Sequence, residues 1–134
     1  MITARQMGAW LTSLVGPPDQ GGVYFESKWR PLDKPSPDRL AFLSMSGGPG
    51  TSNERVIDHI TVTILARGVQ RAIWDAEALA ASIDDAILAV VPPVTIGGSF
   101  VNDIDRVGPP PRYTGEDESK RSLFTCIYIF AHAR

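Results

Sequence analysis

A chain of 134 residues with 13 basic and 15 acidic side chains, net charge −2, has the length of one domain and lacks the basic field that grips nucleic acid. Its 43% hydrophobic and 21% charged residues are ordinary for a globular protein that buries a real core. The one cysteine, Cys126, excludes an internal disulfide, and no apolar run approaches the ~18 residues of a membrane span.

Residues 1–67 carry seven basic and six acidic side chains, and residues 68–134 carry six and nine. The acidic second half argues against a DNA-gripping face there. The N-terminus lacks a basic segment followed by an apolar core, and Trp10, Thr12 and Ser13 interrupt any signal-like stretch, so the chain reads as neither exported nor membrane-bound. Cys126 lies in an apolar run and reads as a buried small hydrophobe in a reducing compartment.

In chain order, residues 3–15 form an amphipathic helix. Thr3 and Gln6 have capping-box spacing, Met7, Trp10, Leu11 and Leu14 form the apolar stripe, and Gly16-Pro17-Pro18 stops it. Apolar runs at Val23–Phe25 and Leu40–Met45 flank "KWRPLDKPSPDR", whose prolines forbid regular ladder pairing. That connection reads as an exposed arm, and "SGGPGTSNER" as a flexible turn. In "VIDHITVTILAR", Val56, Ile60, Val62, Ile64 and Ala66 share one strand face, with His59, Thr61, Thr63 and Arg67 on the polar one.

A long helix is expected over 69–91. Its apolar face includes Val69, Ile73, Leu79, Ile83 and Ile87; Arg71, Asp75, Glu77, Asp84 and Asp85 lie on the polar face. Pro92-Pro93 ends it. Strands follow at Val94–Ile96, Phe100–Val107 and Leu123–Ala131, the last apolar on both faces, with Ile127 and Ile129 placed under the helix with Ile60 and Val62. The order implies one α+β domain spanning 1–134: a mostly antiparallel sheet with one long and one short helix packed on it.

No catalytic constellation is legible. "SGGPGTS" at 46–52 lacks the lysine of a phosphate loop, and Pro49 removes a cradling amide. Asp19, Glu26 and Lys28 imitate a metal-dependent nuclease core, but the short link between the acids leaves barely enough chain for a hairpin. Asp58 and His59 are strand neighbours and point to opposite faces. Asp103 and Asp105 share a face, which a solvated strand edge explains. The sequence therefore implies no enzyme, no metal and no cofactor.

The succession "VIDHITVTILARG", "AIWDAEALAASIDDAIL" and "VNDIDRVGPPPRYTGEDESKRSLFTCIYIF" resembles the tail terminator proteins of long-tailed bacteriophages and the related small neck proteins. A strand ending in "ARG" precedes the long helix; Gly108–Pro110 and the turn at Gly115–Asp117 precede the last strand. The Pro-rich connection after Ser27 departs from the family pattern. The resemblance implies a virion protein at the tail-neck junction, assembled in the host cytoplasm. It implies a hexameric ring on the last tail-tube ring that ends tube polymerisation and joins a head-neck connector or head-completion protein. DNA would pass through the bore without specific binding, which suits a balanced charge, since counterion-releasing contacts retard a sliding duplex. The alternatives are a head-closure or connector subunit, and a small metal-dependent nuclease.

Within that picture "GPPPRYTGEDESKR" at 108–121 reads as a subunit-contacting arm. Prolines lower the entropy lost on docking, and Arg112 and Tyr113 are hot-spot residue types. Glu116, Asp117 and Glu118 offer acids and Lys120 and Arg121 the reverse polarity, a set suited to head-to-tail contacts. Trp29 and Arg30, in the Pro-rich connection, complete the expected interface.

Overall fold

Thr3 sets the start of the first helix. Its hydroxyl accepts from the Gln6 amide at 3.1 Å while its own amide donates to the Gln6 side-chain oxygen at 2.9 Å, satisfying two first-turn donors reciprocally. The helix, α1, spans Ala4–Val15 and ends at Gly16, whose φ of 102° only glycine adopts without strain. Met7 and Leu11 are fully buried, and Trp10 meets Phe130 edge-on at 5.7 Å. The structure, a computed structural model, describes residues 2–16, 24–26, 40–47, 57–117 and 120–133. The Pro-rich connection after Ser27 and most of the Gly-rich turn lie outside the described residues.

The strands are β1 (Tyr24–Glu26), β2 (Leu40–Gly47), β3 (Ile57–Gln70), β4 (Val94–Ile96), β5 (Ser99–Arg106), β6 (Arg112–Glu116) and β7 (Arg121–Ala133), with a second helix, α2 (Ile73–Leu88), between β3 and β4. They form one seven-stranded sheet in the order β1-β2-β3-β7-β5-β4, with β6 also beside β7. Every pairing is antiparallel except β1 with β2, which is parallel. The α+β reading holds, with a sheet that is mixed and curls into a half-barrel.

The β3–β7 register places Ile60, Val62, Ile64 and Ala66 opposite Phe130, Tyr128, Cys126 and Phe124. Residues directly opposite share a face, so these pairs make one apolar surface on which α2 lies. This corrects the expected packing: Ile127 and Ile129 sit half-buried on the other face, across from Thr63 and Thr61. A strand apolar on both sides leaves its inward face undetermined, and only the partner register decides it.

The long helix also begins later than its periodicity suggests. Val69 and Gln70 continue β3 past an irregularity after Arg67, because the Asp75 carboxylate accepts the Val69 amide at 2.8 Å. Gly68 lets the strand pass the helix: a Cβ there would stand 2.5–2.9 Å from the backbone N, Cα and Cβ of Ala76. The buried helix face is Ala76, Leu79, Ala80, Ile83 and Ile87 together with Asp75 and Asp84. Val69 and Ile73, expected in the core, are 38% and 50% exposed.

Asp84, expected in solvent, is instead a buried acceptor. Its Oδ1 takes the Tyr128 hydroxyl at 2.7 Å, its Oδ2 takes an Arg106 N–H at 2.6 Å, and the Cys126 thiol lies 3.8 Å from Oδ1. The helix is thereby tied to two strands by charge-assisted bonds.

Two substitutions check the helix face by urea denaturation. Ile83→Ala should cost about 2–5 kcal/mol. Asp84→Ala, which strands the Tyr128 hydroxyl, should cost about 1–3 kcal/mol, while Asp85→Ala, exposed next to it, should stay within about 0.5 kcal/mol. Gly68→Ala should destabilise by about 1–3 kcal/mol through overpacking against Ala76.

Candidate assembly surface

The segment expected to be a subunit-contacting arm includes a strand, β6. β5 reaches Arg106, and Val107 still donates its amide to Ile127 at 2.8 Å. The chain then leaves the sheet at Gly108, φ 79°, because Pro109–Pro111 have no N–H to give the ladder. It rejoins the same edge of β7 at Arg112, opposite Thr125, and pairs on to Glu116 opposite Ser122. β5 and β6 therefore follow one another along the same edge of β7, separated by a proline excursion, and β4 covers the outer side of β5 only from Ser99 to Val101.

The pairing settles where each expected contact residue lies. Arg112 is exposed opposite Thr125, and Tyr113, 47% exposed, stands edge-on to Phe124 at 5.8 Å. Glu116 and Lys120 are exposed and Arg121 is half-buried. Glu118, Trp29 and Arg30 lie outside the described residues.

Asp117 is not a surface acid. Its side chain is 2% exposed, and Oδ1 accepts the Arg121 amide at 2.9 Å, closing the β6–β7 hairpin. Its Oδ2 faces the Arg67 guanidinium at 3.9 Å, and that guanidinium, fully buried, stands 5.6 Å from the centre of the Phe42 ring. Arg67, expected on the solvent face, is an internal counter-ion. Alternation places side chains on faces, but a hairpin turn folded over the end of β3 covers this one.

The hairpin and the start of α2 enclose an open groove of about 520 Å³, lined by Arg71, Ile73, Tyr113, Glu116, Lys120 and Ser122. The Arg71 amide donates to the Lys120 carbonyl at 2.8 Å, and both residues hold positive φ, 59° and 67°. That backbone region is uncommon for side-chain-bearing residues, and it sets two cations beside the groove. Around it Val69, Ile73 and Tyr113 are well exposed, and Trp74 is 69% exposed. Sequence reasoning named Tyr113, Glu116 and Lys120 but missed Arg71, Ile73 and Trp74, although a tryptophan left off the helix's apolar stripe was a usable signal.

On the opposite face, Asp103 and Asp105 lie across from Ala131 and Ile129 and are exposed. The hydrogen bond that a protonated Asp105 donates to the Asp103 carboxylate, reinforced by the like charge of Asp103, raises the Asp105 carboxyl above its ordinary value. Among the described residues no three His, Cys, Asp or Glu side chains group as metal ligands. His59 is exposed and His132 buried. Burial pushes the Cys126 thiol up, away from the reactive thiolate. Of the nuclease-like pattern only Glu26, at the end of β1, is described. Among the described residues no helix is long and apolar enough to cross a membrane.

No protein-family profile and no curated protein matches the chain. Among solved structures, a chain from the virion of the native gene transfer agent (GTA) particle superimposes with a TM-score of 0.65. The match covers 98% of this chain and 96% of that one, at 13% identity. The likeness is one of fold.

The buried pair gives a direct check on the hairpin. Arg67→Ala leaves Asp117 buried beside an absent cation and should cost about 3–5 kcal/mol. Glu116→Ala, on the same hairpin, should stay within about 0.5 kcal/mol by thermal or urea unfolding.

Proposed function

We propose that the protein is a structural component of a phage-like virion, a tail terminator whose copies form a hexameric ring on the tail tube. The observation that carries this reading is the fold shared over nearly the whole length with a chain of the GTA virion. It agrees with the element order that resembles the tail terminator family. In this role the ring ends tube polymerisation, binds the tail tube protein on one side and presents the other to a head-neck connector or head-completion protein. The net charge of −2 suits a bore through which DNA slides without specific binding.

The exposed groove residues supply what a subunit contact needs, aromatic and cationic side chains on a rigid scaffold. The same fold likeness also fits a head-closure or connector subunit, and the two readings differ in what they bind. Light scattering coupled to size exclusion, with negative-stain microscopy, should find ring oligomers. Purified protein added to polymerising tail tubes should cap them and shorten their length distribution. Rings that bind portal or head particles and leave tube length unchanged would favour the connector reading. A monomer that cleaves DNA with Mg²⁺ or Mn²⁺, and loses that activity in Glu26→Ala, would overturn both.

A further inference from the structure

The chain carries two exposed charged patches of opposite sign that are unable to reach each other within one molecule. The first is the groove beside α2, where Arg71 and Lys120 flank Ile73 and Tyr113, with Trp74 next in the helix. Neither cation has an acidic partner among the described residues. The second lies on β5, where Asp103 and Asp105 are exposed and form no ion pair there. Phe100, 48% exposed, neighbours the buried Val101 on the strand and so shares the face of the two acids beyond the bulge.

The sheet fixes their relation. Tyr113 and Glu116 pair with Phe124 and Ser122 near one end of β7, on the helix-covered face. Asp103 and Asp105 pair with Ala131 and Ile129 near the other end, on the opposite face. At about 3.3 Å per residue the centres of the patches stand roughly 23 Å apart along the strand. Two complementary patches at different places on one molecule make a heterologous contact, in which one copy's first patch meets the next copy's second.

We propose that the Arg71–Lys120 groove of one copy receives the Asp103–Asp105 face of the next, with Phe100 packing against the groove's apolar wall. The proposal rests on the ring reading and names its contact. Two cations meet two acids, and the aromatic side chains supply the desolvated centre that an interface needs. The two acids repel each other when alone, and a docked guanidinium and ammonium relieve that repulsion. Glu116 at the groove selects against acids placed differently, since like charges in contact are unfavourable.

The test is charge exchange, read by light scattering on the full chain, with circular dichroism to confirm folding. The Arg71→Glu/Lys120→Glu variant and the Asp103→Lys/Asp105→Lys variant should each stay folded and each need about a hundredfold more protein to assemble. Mixing the two should restore rings, because every groove then finds a face of opposite charge, in alternating order. Zero-length carbodiimide coupling of wild-type rings built from ¹⁵N-labelled and unlabelled copies should join Lys120 of one copy to Asp103 or Asp105 of another. Wild-type rings accompanied by two variants that assemble unchanged, or by a mixture that restores nothing, would overturn this contact and leave the ring reading standing. A wild-type chain that stays monomeric alone and on tail tubes would overturn both.

Discussion

The β3–β7 ladder runs without a break from Ile57 opposite Ala133 to Arg67 opposite Leu123, and the other strands and the long helix among the described residues are placed against it. β7 has neighbours on both edges: β3 along one, β5 and β6 in tandem along the other. Its backbone groups are thus largely spent within the sheet, as burial of a central strand requires. The ladder also fixes which face of β7 points inward. Once Phe124, Cys126, Tyr128 and Phe130 line up with the apolar face of β3, α2 has one surface to lie on. The groove and the acidic pair then fall at opposite ends and on opposite sides.

Polar contacts refine that placement. Apolar packing alone would tolerate small slides of a helix over an aliphatic surface, since volume-conserving arrangements are close in energy. Asp84 reaches Tyr128 and Arg106 on neighbouring strands, and Asp75 holds the end of β3 through the Val69 amide. Hydrogen bonds are directional where hydrophobic contact is not, so these two carboxylates set the helix's position along its axis and its rotation. Gly68 sets its distance from the strand.

Local signals were legible in the sequence because their causes are local. The Thr3–Gln6 cap, the alternation of β3 from Ile60 to Ala66 and the strands flanking Gly97-Gly98 all depend on residues a few positions apart. Buried charges were not legible for the opposite reason. Asp84 and Tyr128 are separated by 44 positions, and Arg67 and Asp117 meet only after the β6–β7 hairpin folds over β3. A helical periodicity assigns such side chains to solvent by default. The proline run misled in another way: read as the root of a docking arm, it is a short excursion after which the chain returns to the same edge of β7. Of the expected contact set, Arg112, Tyr113, Glu116 and Lys120 are exposed, whereas Asp117 serves the interior. Arg71 and Trp74 reach the surface because Asp75 delays the helix by a turn, an event no single-residue propensity encodes.

The proline excursion bears on how copies of the chain are able to meet. A long edge strand invites another molecule's strand to add to it, and sheets left open in this way aggregate or polymerise without limit. Here the open border, made by β6 and the stretch of β5 beyond its pairing with β4, is cut by three consecutive residues with no amide hydrogen that follow a glycine at φ 79°. An incoming strand would find short stretches of ladder separated by a gap that it has no means to bridge. Backbone-driven, sequence-blind association is suppressed along this border. Any contact along this border is left to side chains, whose geometry is specific where backbone pairing is not.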